Sequence, residues 1–65
     1  MRNDLADRRQ ARGWSQGRLA EELGVSRQTV ISLEKGRFDP SLPLAFRIAA
    51  LFDCRIEDVF SPDGE

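Results

Sequence analysis

The sequence predicts an all-α fold, one domain of five short helices and no strand. Two observations carry this. Glycines at 13, 24 and 36 and serines at 15, 26 and 41 punctuate the chain at helical lengths, the glycines as left-handed stops and the serines as side-chain N-caps. Between these marks the apolar residues recur at three- and four-residue spacing. No stretch alternates apolar and polar residues as a half-buried strand would.

The first helix is expected over residues 3–12, with a thin apolar face of Leu5, Ala6 and Ala11, and stops at Gly13. The second starts after Ser15, whose hydroxyl accepts an orphan backbone N–H. Trp14 before that cap and Leu19 at the fourth helical position have the spacing of a hydrophobic staple. Leu19, Ala20 and Leu23 form its buried face and Gly24 ends it. The third starts after Ser26, repeats the staple with Val25 and Val30, turns Val30 and Leu33 inward and ends at Gly36. After a loop at 37–40, the fourth begins near Ser41 with Pro43 in its first turn, where a missing N–H costs little. Its apolar face is broad: Leu44, Ala45, Ile48, Ala49, Leu51 and Phe52. Asp53 closes it, because Asp tolerates the left-handed region better than most residues. The fifth, 56–60, is little more than one turn, with Ile56, Val59 and Phe60 at i, i+3, i+4 spacing; 61–65 reads as a frayed tail.

Sixty-five residues make one domain, spanning 1–65. A domain this small buries only about 60% of the surface its unfolded chain exposes, so it is marginal unless a disulfide, a metal or a partner supports it. Cys54 is the only cysteine and there is no histidine, which excludes an intrachain disulfide and a zinc site. Association is left as the expected support. The same poverty of His, Tyr and Cys argues against an enzyme, and no cofactor, membrane span or small-molecule ligand is expected. Cys54, between Phe52 and Ile56, reads as a small buried hydrophobe. With no apolar run near the length of a membrane span and no signal-peptide core, the expected location is cytoplasmic.

The net charge is only −1, but it is unevenly placed. Residues 1–37 hold eight basic side chains against five acidic ones, a net of +3; residues 38–65 hold two against six, a net of −4. A basic half facing phosphate and an acidic half facing away suits a nucleic-acid partner, although a generic solvated surface would also look like this.

Residues 16–34, QGRLAEELGVSRQTVISLE, place the second and third helices on either side of a very tight turn. Such helices cross steeply and closely. Ala20 is small where the third helix passes, and Gly24 supplies the positive φ of the turn. Leu19, Leu23, Val25, Val30 and Leu33 fill the wedge.

This segment resembles the helix-turn-helix of the phage repressor and Cro family, the Cro/C1 or xenobiotic-response-element type. The matching residues are Gln16, Leu19, Ala20, Gly24, Val25, Ser26, Val30 and Glu34. The likeness extends over ARGWSQ before the motif and EKGRFDPSLPLAFRIAALF and IEDVF after it, and is greatest to members consisting of this domain alone. The resemblance implies a five-helix lambda-repressor-like domain that binds double-stranded DNA as a transcriptional regulator, expected to be a repressor. The third helix (27–35) would lie in the major groove, where each base pair presents a distinct donor–acceptor pattern.

By family position Arg27, Gln28 and Ser32 are the base readers; Arg suits guanine O6 and N7, and Gln suits adenine N6 and N7. Ser26 and Thr29 are auxiliary, Thr29 reaching a phosphate or a thymine methyl. Gln16 and the N-terminus of the second helix meet a phosphate, Arg18 adds positive charge there, and Lys35 and Arg37 approach the backbone on the other side. Ile31 either meets a thymine methyl or is a plain exposed apolar residue. Arg9 and Glu34 correspond to an ion pair joining the first helix to the end of the third, with attraction opposed by desolvation.

The sequence departs from the family pattern in three places. Arg8 stands where leucine is usual, so either its stem packs on the core with the guanidinium in water or the helix sits differently. Gly17 and Arg18 replace Glu, so the reciprocal capping box is absent. Arg55 replaces a capping Ser or Thr, leaving the last helix open to fraying.

One short recognition helix reads few base pairs, so a homodimer on a two-fold symmetric site is expected. Phe46, Phe52, Ile56, Val59 and Phe60 are the candidate interface, some of which the core must claim. The alternative to a DNA-binding regulator is a protein-interaction module of the antitoxin type.

Overall fold

The computed structural model describes residues 2–61. In chain order the elements are β1 (Arg2–Asn3), α1 (Leu5–Ala11), α2 (Gln16–Leu23), α3 (Arg27–Glu34), α4 (Leu42–Leu51), α5 (Ile56–Val59) and β2 (Phe60–Ser61). All five expected helices form. Their starts follow from local chemistry: Ser15 Oγ accepts from Arg18 N–H at 3.0 Å, Ser26 Oγ from Thr29 N–H at 3.1 Å, and Ser41 Oγ from Leu44 N–H at 3.3 Å. Asp53 closes α4 with φ of 53°, the one positive φ outside glycine among the described residues. The N–H groups of Asp53 and Cys54 return to the carbonyls of Ala50 and Ala49 at 3.2 and 3.0 Å, a complete Schellman cap.

The expectation of no strand is corrected. β1 and β2 form a two-stranded antiparallel ladder with Arg2 opposite Ser61 and Asn3 opposite Phe60, and Asp4 N–H donates to the Val59 carbonyl at 3.2 Å. Two residues per strand are too few to show alternation, and the pairing is imposed by the meeting of the two chain ends. Ser61, expected in a frayed tail, is therefore paired; 62–65 lie outside the described residues. The class remains all-α.

One helix start and one helix cap depart from expectation. α1 begins at Leu5 rather than 3, because the Asn3 side-chain oxygen accepts Leu5 N–H at 3.0 Å and holds residue 3 outside the helix. α5 lacks a hydroxyl cap, yet the Asp58 carboxylate accepts Arg55 N–H at 3.0 Å and faces the Arg55 guanidinium at 3.4 Å. Those bonds, the backbone one foremost, hold the Asp58 carboxyl below its ordinary value.

Leu5, Leu19, Leu23, Val30, Leu33 and Ile48 are fully buried and form one core with Ala20, Leu44, Ala45, Phe52, Val59 and Phe60. Each large side chain so buried contributes roughly 1.5–3 kcal/mol of transfer free energy. Phe52, Val59 and Phe60, candidates for a dimer interface by sequence, thus belong to the protomer's own core, and Ile56 is half-buried against it. Of the five, only Phe46 stands free, 58% exposed. Phe60 escapes the helical pattern assigned to it because it is the first residue of β2, and Phe52 follows the buried stripe of α4 into its cap.

Candidate nucleic-acid interface

α2 and α3 are joined by Gly24, Val25 and Ser26 alone. Gly24 has φ of 72°, and Val25 N–H returns to the Ala20 carbonyl at 3.0 Å, which turns the chain directly from one helix into the next. Ala20 is buried at the crossing. From α4, Arg47 Nη1 donates to the Leu23 carbonyl at 2.8 Å and satisfies the open end of α2. Asn3 Nδ2 does the same for α3, donating to the Leu33 carbonyl at 2.8 Å. Neither Asn3 nor Arg47 was marked by the sequence, because each grips a backbone carbonyl, a partner without a side-chain signature.

This frame presents the outer face of α3. Arg27 and Gln28 are exposed on its first turn, and Thr29, Ile31 and Ser32 are half-buried. Ile31 lies outside the core cluster. Ser26 and Thr29 are linked hydroxyl to hydroxyl at 2.9 Å. Lys35, the C-cap of α3, and Arg37 are exposed just beyond it.

Arg9 and Glu34 do pair. Arg9 Nε donates to Glu34 Oε2 at 2.6 Å and Nη2 to Oε1 at 3.3 Å, with side chains only 11% and 8% exposed. The third guanidinium nitrogen, Nη1, donates to the Trp14 carbonyl at 2.8 Å. One arginine thereby ties α1 to the end of α3 and to the entrance of α2. Gln16 continues the network: its Nε2 donates to Glu34 Oε1 at 3.1 Å, and its Oε1 faces Arg27 Nη2 at 3.5 Å. A polar chain therefore runs from the buried ion pair to the exposed first turn of α3.

Arg18, expected near phosphate, is exposed, pairs with Glu22 at 2.8 Å and stacks over the Trp14 ring at 5.0 Å. Arg12 stacks on the same ring at 5.1 Å and on Phe52 at 4.8 Å. Arg8, in the usual leucine place, is half-buried; its Nε donates to Asp4 at 2.9 Å and its Nη2 reaches the Asp58 carbonyl at 3.4 Å, bracing α1 against α5. The bond to Asp4 raises the Arg8 pKa further. Among the described residues no His, Cys, Asp or Glu group is arranged to hold a metal, and no helix is long and apolar enough to cross a membrane.

The helix-turn-helix family model matches residues 5–59 of this chain. An HTH-type transcriptional regulator of Methanocaldococcus jannaschii is 53% identical over 60 residues, covering 92% of this chain and 91% of that protein. Another from Methanothermobacter thermautotrophicus is 53% identical over 66 residues, covering 100% and 96%. Among solved structures, the restriction-modification controller protein C.AhdI from Aeromonas hydrophila aligns with a TM-score of 0.75 at 32% identity, covering 86% of this chain and 85% of that one. The fold and these likenesses define a DNA-binding transcriptional regulator rather than an enzyme. The chain belongs to the helix-turn-helix family of the Cro/C1 type.

Proposed function

We propose that this protein binds specific sites in double-stranded DNA as a homodimer, with α3 in the major groove, and acts in the cytoplasm as a repressor. The observation that carries the reading is the exposed first turn of α3, bearing Arg27 and Gln28 on a helix whose far end is fixed by the Arg9–Glu34 pair. Arg27 and Gln28 offer bidentate recognition of guanine and adenine, and Ser32 reads one turn further on. A helix clamped at both ends reads bases with little loss of side-chain and backbone freedom on binding.

Gln16, Arg18, Ser26, Thr29, Lys35 and Arg37 flank that face and serve the phosphates. Gln16 is already engaged by Glu34, which leaves its second amide hydrogen for a phosphate oxygen. Arg18 would exchange Glu22 for phosphate. Repression follows most directly from this equipment: occupying promoter DNA requires only the reading face, whereas activation also requires a contact with the transcription machinery.

Selection from a random duplex library, at low and moderate salt, tests the reading. The expected product is a two-fold symmetric site bound by the native protein and lost with Arg27→Ala/Gln28→Ala. Binding that vanishes with salt and ignores the double substitution would reduce the protein to a non-specific polyanion binder.

A further inference from the structure

We propose that Phe38 is a further DNA contact, its ring packed on the apolar face of a deoxyribose in the strand that bounds the major groove. This rests on the placing of α3 in that groove and extends the same site into the loop that follows it.

Three large apolar residues are exposed among those described, Phe38, Leu42 and Phe46. Leu42 and Phe46 belong to α4, whereas Phe38 stands in the exit loop of α3, 43% exposed and outside the core cluster. The start of that loop is fixed. Gly36, with φ of 72°, donates its N–H to the Leu33 carbonyl at 3.0 Å, and Arg37 N–H donates to the Ser32 carbonyl at 3.1 Å. These two bonds complete a Schellman cap, in which apolar residues at the places of Arg37 and Ser32 frequently pack together. Here both are polar, and the aromatic ring comes one residue later, in the open. The closure of α3 therefore does not account for an aromatic at 38.

Three features select the sugar–phosphate wall as the surface that the ring meets. The first is reach. α3 has eight residues, so it is about 12 Å long, and the major groove is about 12 Å wide. With Arg27 and Gln28 on base edges at its first turn, the other end of α3 reaches the wall of the groove, and residues 35–38 leave across the backbone. The second is charge. Lys35 and Arg37 are exposed immediately before Phe38, and Asp39 comes only after it. Glu34, the one acid within 27–37, is 8% exposed and paired with Arg9. The exposed charge along α3 and its exit is therefore positive, complementary to phosphate.

The third is the chemistry of the strand. Between successive phosphates it presents the C–H face of a deoxyribose. Lys35 and Arg37 suit the phosphates, and the ring suits the sugar between them. Such a contact fixes register and carries no base preference. Taking 150–250 Å² for a whole aromatic residue, a ring 43% exposed offers roughly 80 Å². Covering half of that, at about 25 cal/mol per Å², strengthens binding about fivefold.

Salt dependence separates the ring from the cations. Fluorescence anisotropy from about 50 to 300 mM salt compares the native protein with Phe38→Ala, Phe38→Leu and Arg37→Ala. The probes are the half-site duplex that selection yields and a mixed-sequence duplex of the same length. Phe38→Ala is expected to bind both duplexes about fivefold more weakly at every salt concentration, with the slope of log K against log salt unchanged. Phe38→Leu should keep most of the native affinity. Arg37→Ala should instead flatten the slope by about 0.9, the share of one phosphate. Urea unfolding of both Phe38 variants should remain native, because the ring lies outside the core cluster.

Native affinity or an altered salt slope in Phe38→Ala would overturn the contact, as would early urea unfolding of both Phe38 variants. A loss seen only on paired half-sites would also overturn it, giving the ring to a neighbouring copy instead. A change in DNA bending on removal of the ring would replace the sugar contact with a wedge between base steps. A Phe38 effect that persists while Arg27→Ala/Gln28→Ala costs no specificity would remove base reading by α3 and spare the loop contact. The reverse result would spare the reading and remove the loop contact.

Discussion

Replacing Glu34 by alanine should destabilise the domain far more than an ordinary surface substitution. The carboxylate is 8% exposed and accepts from Arg9 through two nitrogens and from Gln16. Without it, an arginine 11% exposed keeps only the Trp14 carbonyl as partner. Stranding one charge of a buried pair costs about 3–5 kcal/mol. The residual exposure of Arg9 and its remaining bond place the expectation at the low end, about 3 kcal/mol. A chain of this length has roughly 3–10 kcal/mol of total stability, so the variant should approach its threshold of folding.

Urea unfolding followed by fluorescence of Trp14, the single tryptophan, measures this directly. Arg9→Met/Glu34→Leu should be milder than Glu34→Ala, because no charge is stranded: the Trp14 carbonyl loses a donor and the Gln16 amide loses an acceptor, each worth about 1 kcal/mol. A loss below about 1 kcal/mol for Glu34→Ala, with the two single substitutions simply additive, would refute the assignment of a buried, coupled pair.

Further outcomes are expected elsewhere. Gly24→Ala should cost about 1–2 kcal/mol in thermal or urea unfolding, from the positive φ rather than from crowding. The added Cβ would find Arg47 Nη1 at an ordinary 3.6 Å. Arg47→Met should cost about 1 kcal/mol by unbonding the Leu23 carbonyl, with half-site affinity little changed. For Asp58, the folded-state pKa lies below its ordinary 3.8. Its contribution is therefore complete above that value and is lost as pH falls through the lowered one. A carboxyl titration by NMR should show the depressed midpoint, and Asp58→Asn should remove the corresponding acid-side step.

The fold was legible wherever its cause was local. Ser15, Ser26 and Ser41 cap helices, and Asp53 closes one, through contacts within a few residues, so spacing alone located them. The pairing of β1 with β2 was not legible, because two residues carry no period and the ladder joins opposite ends of the chain. The same holds for Asn3 and Arg47, whose carbonyl partners lie 30 and 24 residues away. Within the candidate site, the Arg9–Glu34 pair, 25 residues apart, came from family resemblance. Its extension through Gln16 toward Arg27 depends on contacts between side chains 18 and 11 residues apart, which no spacing encodes. The apolar surplus of the C-terminal half was visible but could not be divided. Phe46 falls off the stripe of Leu44, Ala45, Ile48 and Ala49 and beside Leu42, and that offset was the available signal for an exposed ring.

The central claim, that α3 reads base pairs through its exposed first turn, is tested most directly by moving specificity with one side chain. The selection should be repeated with Gln28→Lys, since Gln favours adenine and Lys favours guanine. The expected result is an unchanged site except for an A·T to G·C change at one position, mirrored in both halves. An unaltered site, or a uniform loss of affinity at every position, would contradict base reading by α3.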